Sequence, residues 1–233
     1  MSLKTLKAEP YELEFDPGTT ALIMIDMQRD FVEPGGFGEM LGNDVSLLRS
    51  AIEPCRRLLE AARKAGVFVV HTREGHRADL TDCPVAKRLR GGLECGIGDK
   101  GPMGRILVRG EYGHDIIPEL YPVAGEPVVD KPGKGSFYGT DLAAILSSRG
   151  ITRLVVTGVT TEVCVHTTLR EANDRGFRCA VLADACASYF PEFHAMALRM
   201  VSAQGGIFGW VAPSSEYLGA LLTTTGSPVP ALS

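Results

Sequence analysis

The sequence predicts an α/β fold, a single three-layer α/β/α domain built on a six-stranded, mostly parallel sheet. Three observations lead there. Short apolar runs rich in β-branched residues alternate with amphipathic stretches along the chain. The amphipathic stretches end at glycines, as helices do. The first apolar run, residues 20–26, is continuous rather than alternating, which is the pattern of a strand buried on both faces. Strands that alternate with helices are joined by right-handed crossovers and carry helices on both sides of a parallel sheet.

The elements follow in order. Residues 20–26 form the first strand. Residues 45–65 carry Leu47, Leu48, Ile52, Leu58, Leu59 and Ala62 at helical spacing and stop before Gly66. Residues 67–72 make the second strand and 127–130 a short third. A helix over 141–148 closes at Arg149-Gly150, a fourth strand covers 152–157, and a helix over 162–175 stops at Gly176. A fifth strand over 179–183, a helix over 194–203 and a last strand over 207–211 complete the series. No repeat or linker divides residues 1–233, so one domain is expected. Residues 77–126, rich in Gly, Pro and Arg, break the alternation and read as a lid or an interface arm.

Composition narrows the function. The chain has 233 residues, with 24 Lys+Arg against 28 Asp+Glu, a net charge of -4, and 45% hydrophobic and 22% charged residues. That is globular, not disordered. Slight acidity without a basic run argues against nucleic acid or an anionic membrane as partner. No apolar run approaches the roughly 20 residues that span a bilayer. Residues 1–16 carry charges where a secretory signal would be apolar, so the expected location is cytoplasmic. The six cysteines, at 55, 83, 95, 164, 179 and 186, include no C-x-x-C pair and are expected to be free thiols, with no structural zinc.

In open α/β sheets, chemistry gathers beyond the carboxyl ends of the strands. Asp26 stands there at the end of the first strand, although an Asp so placed often only caps backbone amides. Lys131 closes the third strand ahead of Pro132-Gly133, and Lys134 competes with it for any role. Cys164 follows the fourth strand through Val159-Thr160-Thr161-Glu162-Val163. With a threonine as N-cap it falls in the first turn of a helix, where free amides and the helix dipole favour a thiolate and can hold an oxyanion. A buried structural cysteine is the plainer alternative, and Cys55, Cys179 and Cys186 fit that description. Together, Asp26 and Cys164 meet if the first and fourth strands are neighbours, giving a thiol-nucleophile site.

Two other patterns carry less. Gly96-Ile97-Gly98-Asp99-Lys100-Gly101 spells a dinucleotide fingerprint, but no strand precedes it and Pro102 follows it, so it reads as a loop. Glu74 and His76 would begin a metal site, but no further histidine occurs before His114, so neither metal nor cofactor is expected.

These residues also resemble a family. Asp26-Met27-Gln28, Lys131 in the run to Phe137, and Thr157-Gly-Val-Thr-Thr-Glu-Val-Cys-Val165 look like the isochorismatase-like cysteine hydrolases, a resemblance running from about Thr19 to Leu222. The biuret hydrolase branch is similar at residues 35–37, 42–44, 71–77, 130–137, 170–176 and 204–209, although Tyr138 stands where that branch is expected to carry a small residue or Cys. The resemblance implies a sheet order 3-2-1-4-5-6 and a catalytic triad of Asp26, Lys131 and Cys164. It also implies a cis peptide before Thr160, with the amides of Thr160 and Cys164 forming the oxyanion hole. Gln204 would contact a ureido group, with Lys134, Phe31, Gln28 and Phe137 as further substrate-binding residues. The reaction implied is hydrolysis of a C–N bond in a small linear ureide such as biuret or triuret, through a thioester-type intermediate and with release of ammonia. Lys131 would lower the thiol pKa and Asp26 would take its proton. The assembly implied is a homotetramer built partly through residues 77–126. Alternatives are a ureidoacrylate or N-carbamoylsarcosine type of amide, an isochorismate-type vinyl ether, and a non-catalytic ligand-binding protein on the same scaffold. Phe31, Phe37, Phe137, Tyr138 and Trp210 would wall a flat substrate, or equally fill the core.

Overall fold

The computed structural model describes residues 3–89 and 95–222. Its centre is a six-stranded sheet: β1 (Thr20–Ile25), β2 (Phe68–Glu74), β3 (Val128–Lys131), β4 (Arg153–Val159), β5 (Arg178–Ala187) and β6 (Trp210–Ala212). The strands lie in the order 3-2-1-4-5-6 and every neighbouring pair is parallel, in agreement with the expected order. Five longer helices flank it: α1 (Ile52–Ala65), α2 (Leu142–Ser148), α3 (His166–Asp174), α4 (Pro191–Gly206) and α5 (Ser214–Leu222).

All six residues of β1 are buried, and the pleat explains why the run is continuously apolar. Leu22 and Met24 face one core with Leu58 and Leu59 of α1 and Tyr217 and Leu218 of α5. Ala21, Ile23 and Ile25 face the other, with Leu142 and Leu146 of α2 and Leu169 and Ala172 of α3. Helix α1 ends as its glycine signal predicts: Gly66 is left-handed at φ 69° and its amide returns to the carbonyls of Ala62 and Arg63.

Register brings the chemistry to one edge. Ile25 pairs with Gly158 of β4, and Glu74 of β2 pairs with Lys131 of β3, so Asp26, Glu74 and Lys131 emerge at neighbouring carboxyl ends. Gly158 permits this closeness: at φ 106° it lies so near β1 that a Cβ would run into the Ile25 carbonyl oxygen.

Several boundaries differ from expectation. The stretch 45–65 is a short turn, Ser46–Arg49, followed by α1. Helix α4 starts earlier, with Pro191 in its first turn, and loses helical geometry at Ala203, Gln204 and Gly205. An antiparallel hairpin, Lys4–Leu6 with Leu13–Phe15, and helix α5 carried no periodic signal. The hairpin is held by packing, with the Phe15 ring 5.2 Å from Tyr217. Residues 90–94 of the 77–126 segment lie outside the described residues. The rest folds as short turns with a two-residue hairpin, Lys100–Gly101 against Gly104–Arg105, around a small core of Phe37, Cys83, Ile97, Ile106 and Leu107. The glycine-rich stretch 96–101 is a turn that runs into this hairpin, with no helix directly after it. No helix of the described residues is long and apolar enough to cross a membrane.

Candidate active site

Beyond the carboxyl ends of β1 to β4 lies a cavity of about 250 Å³, lined in part by Phe31, Phe37, Glu74, Lys134, Thr160 and Cys164. Cys164 is 4% exposed. It sits in a wide turn, Thr161–Val165, that precedes α3, and the Val159–Thr160 peptide is cis, as the family resemblance implied. Thr160 occupies the N-cap position but gives no side-chain capping bond, contrary to the threonine cap expected; Thr161 instead pairs its hydroxyl with His194 Nδ1 of α4 at 2.8 Å.

Asp26 and Lys131 are both fully buried, and an Asp26 carboxylate oxygen lies within 4.8 Å of the Cys164 sulfur. Asp26 adopts φ 49°, an uncommon conformation for a residue with a Cβ, where the chain turns away from β1. The Thr72 hydroxyl donates to Asp26 Oδ1 at 2.6 Å, and Lys131 Nζ lies 2.7 Å from Oδ2. The same ammonium donates to the carbonyls of Gly133 and Lys134 at 3.0 and 2.9 Å. The loop that presents those carbonyls is pinned to α3, because Ser136 bonds Thr168 at 2.8 Å and the Phe137 amide donates to Glu171 at 2.9 Å. Three distant chain segments therefore converge.

A fourth residue joins them. Glu74, 2% exposed, accepts the Cys164 thiol at 3.4 Å on Oε2, and Lys131 lies 4.0 Å from that oxygen. Lys87 and Lys134 each hold its other oxygen, Oε1, at 2.7 Å. Sequence reasoning had Glu74 only as the start of a metal site with His76. The structure separates that pair, since His76 Nδ1 turns to Asp82 at 3.3 Å. Ligand-capable atoms of Asp26, Glu74 and Cys164 do lie within 4.8 Å of one another, and the Lys131 ammonium supplies positive charge beside them. The only sequence signal for Glu74 was its place at the end of β2. Lys87 had none.

The ionisation states follow from these contacts. Burial pushes Glu74 up, but the ammoniums of Lys131, Lys134 and Lys87 outweigh it and hold the carboxyl at about 2. Burial pushes Lys131 down, and Asp26, Cys164 and Glu74 reverse that, leaving it charged beyond an ordinary lysine. Burial pushes the Cys164 thiol well up. Lys131 pulls it back, Asp26 and Glu74 add to the rise, and the balance stays high. The expected depression of this thiol is thus corrected: it stands as a protonated donor to Glu74, because desolvation and two carboxylates outweigh the lysines.

One consequence concerns acid stability. Glu74 has a folded pKa of about 2 against an ordinary 4.5, so it binds a proton less readily in the native state. Its contribution is complete above about pH 5 and drains away as acid approaches pH 2. Melting temperature is expected to fall across that window, and to fall less steeply in Glu74→Gln, as calorimetry between about pH 3 and 7 would record.

Other expected site residues are placed as follows. Phe31 and Lys134 line the cavity. Gln28 does not: its amide is fully used inside the fold, donating to the carbonyls of Glu74 and His114 at 2.9 and 2.8 Å and accepting the Glu74 amide at 2.7 Å. Phe137 is turned into the core, 5.8 Å from the Phe177 ring, rather than toward the cavity. Gln204 is exposed at the kink of α4 and does not line this cavity in the single chain. Of the other aromatics, Phe37 lines it, Tyr138 is exposed and Trp210 packs against Tyr11. Tyr189 and Phe190, which sequence reasoning missed, complete the wall.

Comparison with known proteins finds counterparts of this fold. A family model described as isochorismatase domain matches residues 20–213. The chain is similar to a cysteine hydrolase from Pseudomonas syringae pv. phaseolicola 1448A, at 26% identity over 95% of this chain and 97% of that one, with a TM-score of 0.76. It is similar to an isochorismatase family protein from Desulfovibrio vulgaris subsp. vulgaris str. Hildenborough, at 29% identity over 87% and 98% of the two chains and a TM-score of 0.71. An N-carbamoylsarcosine amidase from Thermoplasma acidophilum matches at 25% identity over 84% and 96%, with a TM-score of 0.64.

Proposed function

The chain belongs to the isochorismatase family, and we propose that it is a cysteine hydrolase that cleaves a C–N bond of a small, neutral ureide, biuret or triuret, with Cys164 as nucleophile. The observation that carries the reading is the convergence of Asp26 and Lys131 on Cys164, which lines the cavity: an Asp26 carboxylate oxygen lies within 4.8 Å of the sulfur, and the Lys131 ammonium 2.7 Å from that carboxylate. The thiol proton passes to Asp26 as sulfur attacks the carbonyl, and the negative charge that develops on sulfur faces the Lys131 ammonium. Backbone amides of Thr160 and Cys164 receive the oxyanion, each such donor contributing about 3 kcal/mol. Collapse breaks the C–N bond, and Asp26 returns its proton to the departing nitrogen, which leaves as ammonia. Water, activated by the same carboxylate, then splits the S-acyl intermediate and restores the thiol.

Two features support a neutral and flat substrate. Walls of Phe31, Phe37, Tyr189 and Phe190 suit a planar amide. Among the described residues each ammonium of the cluster already touches a carboxylate, Lys131 on Asp26 and Lys87 and Lys134 sharing Glu74, so a substrate carboxylate would have to compete with Glu74 for its partner. A second reading, an N-carbamoyl amino acid, is favoured by one observation. The Lys134 side chain remains 32% exposed at the cavity and can turn from Glu74 to a substrate carboxylate. A homotetramer built partly through residues 77–126 belongs to the proposal on the family resemblance.

Ammonia release over biuret, triuret, N-carbamoylsarcosine, ureidoacrylate and nicotinamide separates these readings. The highest kcat/KM is expected for biuret or triuret, by about tenfold or more over the carboxylate-bearing amides, the order of discrimination one mismatched polar group supplies. Faster turnover of N-carbamoylsarcosine or ureidoacrylate would favour the second reading, and release from none of the five would overturn both.

A further inference from the structure

Glu74 takes no part in the hydrolysis just described, yet the thiol hydrogen points to it. It is held unusually firmly for a side chain without a catalytic duty. Gln28 brackets its backbone, accepting its amide at 2.7 Å and donating to its carbonyl at 2.9 Å. Lys87, from the short turn Val85–Arg88, and Lys134, from the loop after β3, clamp Oε1 at 2.7 Å each. Oε2 is left to the Cys164 thiol at 3.4 Å. A carboxylate surrounded by three ammoniums is a poor base. It accepts the S–H hydrogen bond without taking the proton, and its negative charge opposes a second anion on sulfur.

We propose that Glu74 is a positioning residue that keeps Cys164 as an aimed, protonated thiol until a substrate N–H takes over the hydrogen bond to Oε2. The inference rests on the nucleophilic role given to Cys164 above. A ureide bears N–H donors on both sides of its carbonyl, so one of them can replace the thiol on Glu74 while the carbonyl carbon comes to sulfur. The thiol proton then moves to Asp26, which becomes neutral, while Lys131 stays an ammonium and faces the new thiolate. Atoms and charge balance within the site. The resting enzyme is protected from alkylation and oxidation, because only thiolate reacts readily. Substrates that lack an N–H donor beside the carbonyl cannot release the thiol, which makes Glu74 a determinant of specificity as well.

The test is the rate of Cys164 alkylation by iodoacetamide against pH, read at the peptide level, with kcat/KM followed over the same range. Glu74→Gln removes the opposing charge and is expected to alkylate faster at pH 7 while turning over more slowly. Each unit by which the thiol pKa falls raises the thiolate fraction about tenfold, which lower nucleophilicity trims to about a threefold gain in rate. Lys87→Met strengthens the net negative charge at Glu74 and is expected to shift alkylation the opposite way, to slower rates, while Lys131 and Lys134 still hold the carboxylate in place. Alkylation of folded Glu74→Gln at or below the parent rate would overturn the proposal. So would Lys87→Met protein that alkylates as fast as the parent or faster, which decides the matter if the first variant does not fold. Cys164→Ser separates the two levels: activity in that protein sinks the nucleophile itself, whereas an inactive Cys164→Ser with unshifted alkylation in the Glu74 and Lys87 variants sinks only the positioning role.

Discussion

Cys164→Ser protein is expected to bind substrate nearly as the parent does and to turn over at least about 10⁴-fold more slowly, the order of loss seen when a nucleophile is removed from a catalytic unit. The physical reason is the proton. A buried thiol already sits above its ordinary pKa here, and a serine hydroxyl in the same place is far harder to ionise, so Asp26 can no longer accept its proton at useful cost. Sγ and Oγ occupy almost the same space, hence the fold and the cavity walls are retained. Steady-state kinetics, a substrate titration by calorimetry and a melting curve check the three parts. A kcat within about tenfold of the parent would remove Cys164 from the chemistry, since that is far below what losing a nucleophile costs.

Lys131→Met is expected to cost stability as well as activity. Lys131 is fully buried and stands between two buried carboxylates, 2.7 Å from Asp26 and 4.0 Å from Glu74. Taking away one partner of a buried pair leaves uncompensated charge, which costs about 3–5 kcal/mol. For a chain of this size that corresponds to a drop of about 6–20 °C in Tm. The sign with pH is opposite to that of most acid effects. Without the ammonium, the Glu74 carboxyl loses part of the attraction that keeps it ionised, so it takes up a proton more readily in the folded state. The deficit relative to the parent therefore narrows as pH falls. Asp26→Asn combined with Lys131→Met is expected to be more stable than Lys131→Met alone, because the orphaned charge is gone. Equal melting temperatures for parent and Lys131→Met would contradict the buried ion pair.

Much of this was legible in the sequence where local pattern and tertiary demand coincide. The unbroken apolar run ahead of Asp26 follows directly from a strand that serves two cores, Leu22 and Met24 on one side and Ala21, Ile23 and Ile25 on the other. Asp26, Lys131 and Cys164 could be picked out because strand ends and the helix start that follows are where such sheets do chemistry. What escaped was set by contacts between distant segments. Glu74 reads in sequence as a carboxylate two residues from a histidine. Only the fold turns His76 to Asp82 and delivers Lys87 from a stretch with no periodic signal. Gln28 looked free, but two backbone carbonyls and an amide consume its side chain. The thiol was expected to lean toward thiolate on helix-dipole grounds; at 4% exposure, with two carboxylates close by, desolvation dominates instead. Substrate-wall aromatics were half right for a similar reason, since Phe31 lines the cavity while Phe137 stacks against Phe177.

The most direct test is the mass of the protein quenched in acid during turnover of biuret, mapped to peptides. An S-acyl adduct is expected on the peptide that contains Cys164, gone after a chase into substrate-free buffer. An adduct on any other side chain, or undiminished ammonia release from protein in which every Cys164 carries a blocking alkyl group, would contradict it.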